Sequence, residues 1–351
     1  MCWLVFPFII LQLQIKVKPD MDFDKLFSSF EKIKVAVIGD VMLDTYWWGK
    51  VDRISPEAPV PVVAVSKREE RIGGAGNVAL NISALGASVS VISVVGNDTE
   101  AGQLKILLEN NRINTDYLIN SPERITTNKI RIIGRNQQMM RLDAEITHEL
   151  SKKDEDALIA SFEKYIQHEK PGIVILEDYN KGILSETVIE KIISLSKANN
   201  ILIAVDPKRK NFFAYKQADI FKPNLHEAKE GLNIISDEVS QEMLENIHQS
   251  LFEKLHHRIS LITLSEKGIF YQAGNEKEII PTHIRSIADV SGAGDTVIAV
   301  ASVVFAATGN IHLMAEMANI AGGLVCEEVG TVAIDKSKLL AECKHLLLDV
   351  M

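Results

Sequence analysis

Asp295 follows directly on Gly292, Ala293 and Gly294 in the stretch DVSGAGDTVIA, and an almost unbroken apolar run continues from Thr296 to Ala307. Three small residues before such a run mark the start of a buried helix, and Thr308, Gly309 and Asn310 mark its stop. At a helix start the free N–H groups of residues 292–294 and the positive dipole end attract an anion, and the lack of bulky side chains lets a phosphate come close. Asp295 then has two readings. It is a capping carboxylate that satisfies those amides, or it is a general base, because a carboxylate beside an anion site has a raised pKa and repels phosphate unless it has chemistry to perform. Base and anion site together describe phosphoryl transfer, where the protein positions a hydroxyl and stabilises charge on the transferring group. The chain has no GxxxxGK[ST] stretch, so this is not a Walker-type site.

A second glycine cluster, RIGGAGNVALNISALGA at residues 71–87, carries Gly74, Gly76 and Ala79 at dinucleotide-fingerprint spacing. That fingerprint should follow a strand at once, whereas the charged KREER precedes it here, which argues against a nicotinamide cofactor. Gly73 and Gly74 would instead let the backbone approach a small polar substrate, with Asn77 offering donor and acceptor to a hydroxyl; a tight turn without ligand is the plainer alternative. KPNLHEA places Asn224 and Glu227 three apart where a strand yields to a helix. The pair reads equally as a capping box or as an amide and a carboxylate holding water around Mg2+. TLSEKG at 263–268 reads as a strand end and turn.

The elements that position these residues follow from periodicity. KVAVIGD, VSVISVVGND, GIVILEDY, ILIAVDPK, ADIFKPN and SLITLSEKG are β-branched runs ending in polar residues. They alternate with amphipathic helices near 77–85, 100–110, 151–167, 185–198 and 238–256, the pattern of an α/β doubly wound, mostly parallel sheet. Ligands of such sheets lie beyond the carboxyl ends of the strands, where Asp40, Asp178, Asp206 and Asn224 fall. Residues 46–65 and 125–143 break the alternation and are expected to form a small β lid inserted in a single domain spanning 21–351. The 351 residues carry a formal charge of −9 and 46% hydrophobic content, which fits a globular chain and argues against a nucleic-acid partner. Cys2, Cys326 and Cys343 form neither a metal-binding pattern nor a disulfide framework, in keeping with reducing cytosol. The apolar run Trp3 to Leu11 is too short to span a bilayer and lacks the basic opening of a signal peptide, so residues 1–20 are expected to be an extension, with no membrane role.

An early GG, an NxxE and a late GAGD before a long helix, in that order, resemble the ribokinase-like (PfkB-type) carbohydrate kinases over about residues 34–335. The resemblance implies Asp295 as catalytic base, Gly292, Ala293 and Gly294 as anion hole, Asn224 and Glu227 organising Mg2+ and phosphates, Ser265 and Gly268 lining ATP, and Asn319 closing the adenine pocket. Within the family the likeness is strongest to the heptose 7-phosphate kinases, carried by GDVMLDTYWWGKVDRISPEAPVPVV, TNKIRIIGRNQQMMRLD, EDYNKGIL, VDPKRKNF and DVSGAGDT. It implies Asp44 at the sugar hydroxyls, with Asp178 and Lys181 in the same cleft. Glu177 and Asn180 depart from that pattern, where a small residue and a glycine are commoner. A phosphorylated substrate needs cations, and Lys208, Arg135 and Arg141 are the candidates, although either arginine can instead pair with a lid carboxylate such as Asp143. The lid's edges are expected to pair in a homodimer. No HxGH occurs, so adenylyl transfer is expected from a separate protein, and a monovalent-cation requirement stays open.

Overall fold

Residues 21–348 are described in this computed structural model, apart from 136, 237, 238 and 284; the expected 1–20 extension lies outside them. Helix α1 (Phe23–Ser29) leads into β1 (Lys34–Gly39), two long strands β2 (Val41–Ile54) and β3 (Pro61–Gly74), then α2 (Ala75–Leu85), β4 (Ser88–Gly96) and α3 (Thr99–Asn110). Next come β5 (Leu118–Ser121), the hairpin β6 (Thr127–Gly134) and β7 (Gln137–Ala144), α4 (Lys152–Glu169), β8 (Ile173–Glu177), α5 (Glu186–Ala198), β9 (Leu202–Asp206) and β10 (Ile220–Phe221). The chain closes with α6 (Leu225–Leu232), α7 (Gln241–Leu255), β11 (Ile259–Thr263), β12 (Ile269–Ala273), β13 (Glu276–Ile280), α8 (Ala293–Thr308), α9 (Ile311–Val325) and α10 (Lys336–Leu348).

The main sheet has the order β13-β12-β11-β10-β9-β8-β1-β4-β5, parallel from β11 to β5, with β12 and β13 antiparallel at one edge. From β1 the chain first builds outward to β4 and β5 and later resumes on the other side at β8, so the strand order reverses between β1 and β8. Asp40, Glu177 and Asp178 sit at the carboxyl ends flanking that reversal, the place where such sheets bind ligands. Alternation along each strand divides the core between the two faces. Val35 and Val37 pack with α1, α2, α8, α9 and α10, while Ala36 and Ile38 pack with α4, α5 and α7.

The lid is a four-stranded sheet, β3-β2-β6-β7. It is larger at its base than 46–65 and 125–143, because β2 begins at Val41 and β3 runs on to Gly74. The charged KREER, which in the sequence argues against a strand leading into the Gly74, Gly76 and Ala79 cluster, is part of β3, so the cluster does follow a strand; Lys67 and Arg68 are exposed and Glu69 to Arg71 half-buried, which asks for no apolar face. Alternation correctly indicated the antiparallel β6–β7 hairpin, but β2 joins β6 in parallel. Helix α6 follows Asn224 directly, at the expected change from strand to helix, and is too short to announce itself by periodicity. Residues 295–305 of α8 are all buried, which fixes its N-terminus against α2 and the sheet. Its stop is Gly309, left-handed at φ +64° as the sequence indicated.

Candidate active site

Asp295 lies in the first turn of α8 and is only 5% exposed, yet it caps nothing. The N-cap is Gly292, whose φ of +79° suits glycine and whose added Cβ would meet Asn77 Nδ2 at 2.8 Å. The carboxylate turns away from the helix: Oδ2 accepts from Asn77 Nδ2 and Oδ1 from the Tyr179 hydroxyl, each at 2.7 Å. Burial pushes its pKa up to about 6, the two hydrogen bonds hold it down, and Asp206 adds to the rise. Such a carboxylate is ionised at neutral pH and still basic enough to take a proton in a transition state.

The capping reading therefore fails on geometry, and the amides are left for a ligand, with one correction. Ala293 N–H donates to the Val290 carbonyl at 3.3 Å, which engages one of the three expected donors. The N–H groups of Gly292, Gly294 and Asp295 have no acceptor among the described residues. A Cβ on Gly294 would stand 3.7 Å from Lys222 Nζ and 3.9 Å from Asp206 Oδ2, so this opening faces a cation. Lys222 is buried and bonded to Asp206 at 2.7 Å; burial lowers its pKa, but Asp206 outweighs that and keeps the ammonium charged.

Beneath the base, carboxylate oxygens of Glu177, Asp206 and Asp295 lie within 4.8 Å of one another, all three residues buried. Glu177 Oε2 and Asp206 Oδ1 have no hydrogen-bond partner among the described residues. Burial first, then Asp206 and Asp295, raises the Glu177 pKa well above the usual carboxylate range, with Lys222 and Lys208 opposing. This cluster gathers the ends of β8, β9 and β10 under α8, and only Asp206 was anticipated as a strand-end carboxylate.

On the substrate side, Gly73 and Gly74 end β3 and let α2 start at once, with the Ala75 N–H on the Asp40 carbonyl at 3.0 Å. A Cβ on Gly73 would clash with Asp44 Oδ2 at 2.4 Å, so the glycine makes room for that carboxylate. Asn77 is fully buried and serves Asp295, with its Oδ1 unpartnered. Asp44 is buried and ion-paired with Arg131, a lid residue absent from the sequence expectations. Asp178 is buried and accepts from Tyr215 and the Asn180 amide, each at 2.7 Å, which ties it to the loop after β8. Lys181 pairs with Glu145 at 2.8 Å.

Of the three cations expected at a substrate phosphate, none is free. Arg141 forms a two-pronged pair with Asp143, both bonds 2.8 Å, on an exposed part of β7. Arg135 follows Gly134, which pairs with Gly49, so it stands roughly 25 Å along β2 from the lid base, donating to the Val51 carbonyl. Lys208 is ion-paired with Glu227. The lid instead contributes Lys129, half-buried, with no carboxylate paired to it among the described residues and its ammonium 5.5 Å from the Tyr179 ring centre. Burial lowers its pKa, with Asp44 opposing and Lys181 reinforcing the effect.

Asn224 and Glu227 form the complete capping box of α6: Asn224 Oδ1 accepts from Glu227 N at 2.8 Å and Glu227 Oε2 from Asn224 N at 2.9 Å. Both readings of the pair are compatible, because each Glu227 oxygen keeps a lone pair for water, which fits a hydrated Mg2+. Ser265 (φ +55°) and Gly268 (φ +97°) shape a turn that closes on residues 280–282, and Asn319 of α9 donates to the Pro281 carbonyl at 2.8 Å. The three expected nucleotide residues thus meet around Pro281.

A buried, basic carboxylate beside unsatisfied helix-start amides and a buried lysine, at the reversal point of a doubly wound sheet, defines a phosphotransferase with an alcohol acceptor. Residues 32–338 match the model of the pfkB family carbohydrate kinases. The chain belongs to that family and is an ATP-dependent carbohydrate kinase. It is 43% identical over 304 residues to a bifunctional protein HldE from Aliarcobacter butzleri, covering 86% of this chain and 62% of that protein. To the HldE of Desulfatibacillum aliphaticivorans it is 39% identical over 319 residues, covering 90% and 64%. The match thus spans less than two thirds of these relatives' length. Its fold is shared with Escherichia coli phosphofructokinase-2 solved with potassium (TM-score 0.72, 17% identity, 88% of this chain and 98% of that one). It is also shared with Arabidopsis thaliana ribokinase complexed with ribose and ATP (TM-score 0.67, 16% identity, 88% and 98%).

Proposed function

We propose that the chain transfers the γ-phosphoryl group of ATP to the anomeric hydroxyl of D-glycero-D-manno-heptose 7-phosphate, giving the 1,7-bisphosphate for ADP-heptose and lipopolysaccharide core synthesis. The observation that carries the base assignment is the Asp295 carboxylate, turned from its own helix amides and held by Asn77 and Tyr179. Asp295 takes the hydroxyl proton as that oxygen attacks the γ-phosphorus; the bond to the bridging oxygen breaks and its electron pair leaves with ADP. The amides of Gly292, Gly294 and Asp295, with Lys222 behind them, stabilise the charge on the transferring group. Bound with ATP, Mg2+ would neutralise phosphate charge, held through water by Asn224 and Glu227. Asp44, Gly73 and Gly74 face the sugar.

The heptose reading rests on the HldE-like stretches, and its phosphate is assigned to Lys129, since Lys181, Lys208, Arg135 and Arg141 are engaged elsewhere. The domain is proposed to run from residue 21 as one unit, in the cytoplasm; no described helix is long and apolar enough to cross a membrane. Pairing through the lid is supported by its exposed Ile54, Val65, Met139, Met140 and Leu142. Adenylyl transfer to the product would need a site other than the one described. A coupled assay of ADP release over a panel of sugars and sugar phosphates, with and without K+, tests the reading: turnover on ribose, fructose 1-phosphate or a nucleoside but not on the heptose phosphate would replace it.

A further inference from the structure

Asp295 is not idle when the sugar is absent. Its two oxygens already have donors, and the donor on Oδ1 is a phenol whose pKa is raised by burial and by Asp295 itself, so it stays protonated and always donates. The loop that carries Tyr179 is fixed from below. Asp40, 1% exposed, accepts from the amides of Tyr179 (2.7 Å), Lys181 (3.0 Å) and Ile183 (3.2 Å). The ring also lies near two ammonium groups, Lys129 of the lid at 5.5 Å and Lys208 at 5.6 Å from its centre. Lys208 is in turn paired with Glu227 of the Asn224–Glu227 box. One side chain therefore touches the lid, the cation next to the nucleotide side, and the base.

We propose that Tyr179 guards the base: without sugar its hydroxyl occupies Oδ1 of Asp295 and denies that place to water, and the acceptor hydroxyl displaces it on binding. The inference rests on Asp295 being the base. The reaction held back is ATP hydrolysis, in which a water gives its proton to Asp295 while its oxygen bonds to the γ-phosphorus and ADP leaves with the electron pair of the broken P–O bond. A kinase whose base accepts any hydroxyl must discriminate against 55 M water, about the highest nucleophile concentration available, and a resident donor on the base does this by occupation. Tyr179 is a positioning residue in this account, since it acts through Asp295 and leaves when the acceptor arrives.

The test is Tyr179→Phe, which keeps the ring and its contacts with Lys129 and Lys208 and removes only the donor. ADP release is measured without sugar and with the best sugar phosphate from the panel, from pH 5.5 to 8.5. Sugar-independent hydrolysis should rise about tenfold, the scale of one hydrogen bond to a charged group, while sugar-dependent turnover changes less. The acid limb of the sugar-dependent kcat/KM should move to higher pH, because in the free enzyme the lost bond no longer holds the carboxyl down, while that of kcat, set in the complex where Tyr179 has already left Asp295, should stay put. Hydrolysis at the wild-type level overturns the proposal. Thermal unfolding checks that the variant is folded, and Tyr179→Leu replaces it if not. Adding Asp295→Asn must abolish the gained hydrolysis; if the gain persists, it does not pass through Asp295 and the guard is refuted. Loss of sugar phosphorylation in Asp295→Asn alone reports separately on the base.

Discussion

Replacing Asp295 with Asn should make the protein much less active and, above neutral pH, more stable. The activity loss is that of a general base, about two to four orders of magnitude in turnover. The stability gain comes from the same burial. The folded carboxyl titrates at about 6 against an ordinary 3.8, a gap worth roughly 3 kcal/mol against ionising it in the folded state. Since the folded pKa is the higher one, the wild type loses stability as pH rises from about 4 to about 6, and above that carries the whole cost. An asparagine does not titrate. Its oxygen still accepts from Asn77, and the Tyr179 hydroxyl can rotate to accept from its amide, so the gain should reach about 1–3 kcal/mol at pH 8. Below about pH 4 it should vanish. Denaturant unfolding at pH 8 and pH 4, paired with turnover and ATP-binding titrations at pH 8, reads all three quantities. Turnover like the wild type's, or equal destabilisation at both pH values, would refute the reasoning.

Gly292→Ala forces a Cβ to 2.8 Å from Asn77 Nδ2 at a φ of +79°; it should cost about 1–3 kcal/mol in unfolding free energy and lower kcat by displacing the partner of the base, seen in melts and steady-state kinetics. Lys129→Ala should raise the KM for a phosphorylated sugar by at least about tenfold, the scale of one charged hydrogen bond. Arg135→Ala and Arg141→Ala should leave that KM within about twofold, as their partners are Val51 and Asp143. His257, fully buried with Nε2 on Ser260, is held down to about 3 by burial and by His248. Its folded pKa lies below the unfolded one, so stability is lost as pH falls from about 6.5 toward 3, at up to about 1.4 kcal/mol per pH unit. His257→Gln should flatten that part of the denaturation profile.

The parallel strands were legible because burial on both faces leaves continuous β-branched runs, and α8 because its apolar run is bounded by glycines at both ends. The lid's base was not. KREER faces solvent in β3, and an exposed strand has no apolar face to write a period-two pattern. Asp295, Asn77 and Glu227 were legible as types at spacings, but what each touches was not. Asn77 appeared to face a substrate and in fact holds the base across 218 residues of chain. The pairing of Arg141 with Asp143 could be foreseen, since residues two apart on a strand share a face; that of Asp44 with Arg131 depends on the parallel β2–β6 register, which the sequence does not state.

The strand-end residues whose roles escaped the sequence belong to one physical circumstance. Glu177, Lys222 and Tyr179 each stand just at or past a strand end, separate in sequence, and converge because the sheet brings β8, β9 and β10 side by side under one helix start. Each alone reads as an ordinary polar terminus. Together they tune the site: burial first and then Asp206 and Asp295 push the Glu177 carboxyl up, Asp206 pushes the Lys222 ammonium up against its burial, and Tyr179 moderates the basicity of Asp295. Glu177 was noticed only as a departure where a small residue is commoner, and its place explains why a departure there matters. A small residue would remove a buried acid from beside the base, whereas Glu177 adds one whose pKa is raised by burial and by its two carboxylate neighbours. Asp295 is one of the charges that raise it, so the acid at residue 177 and the charge on residue 295 are linked features of the site.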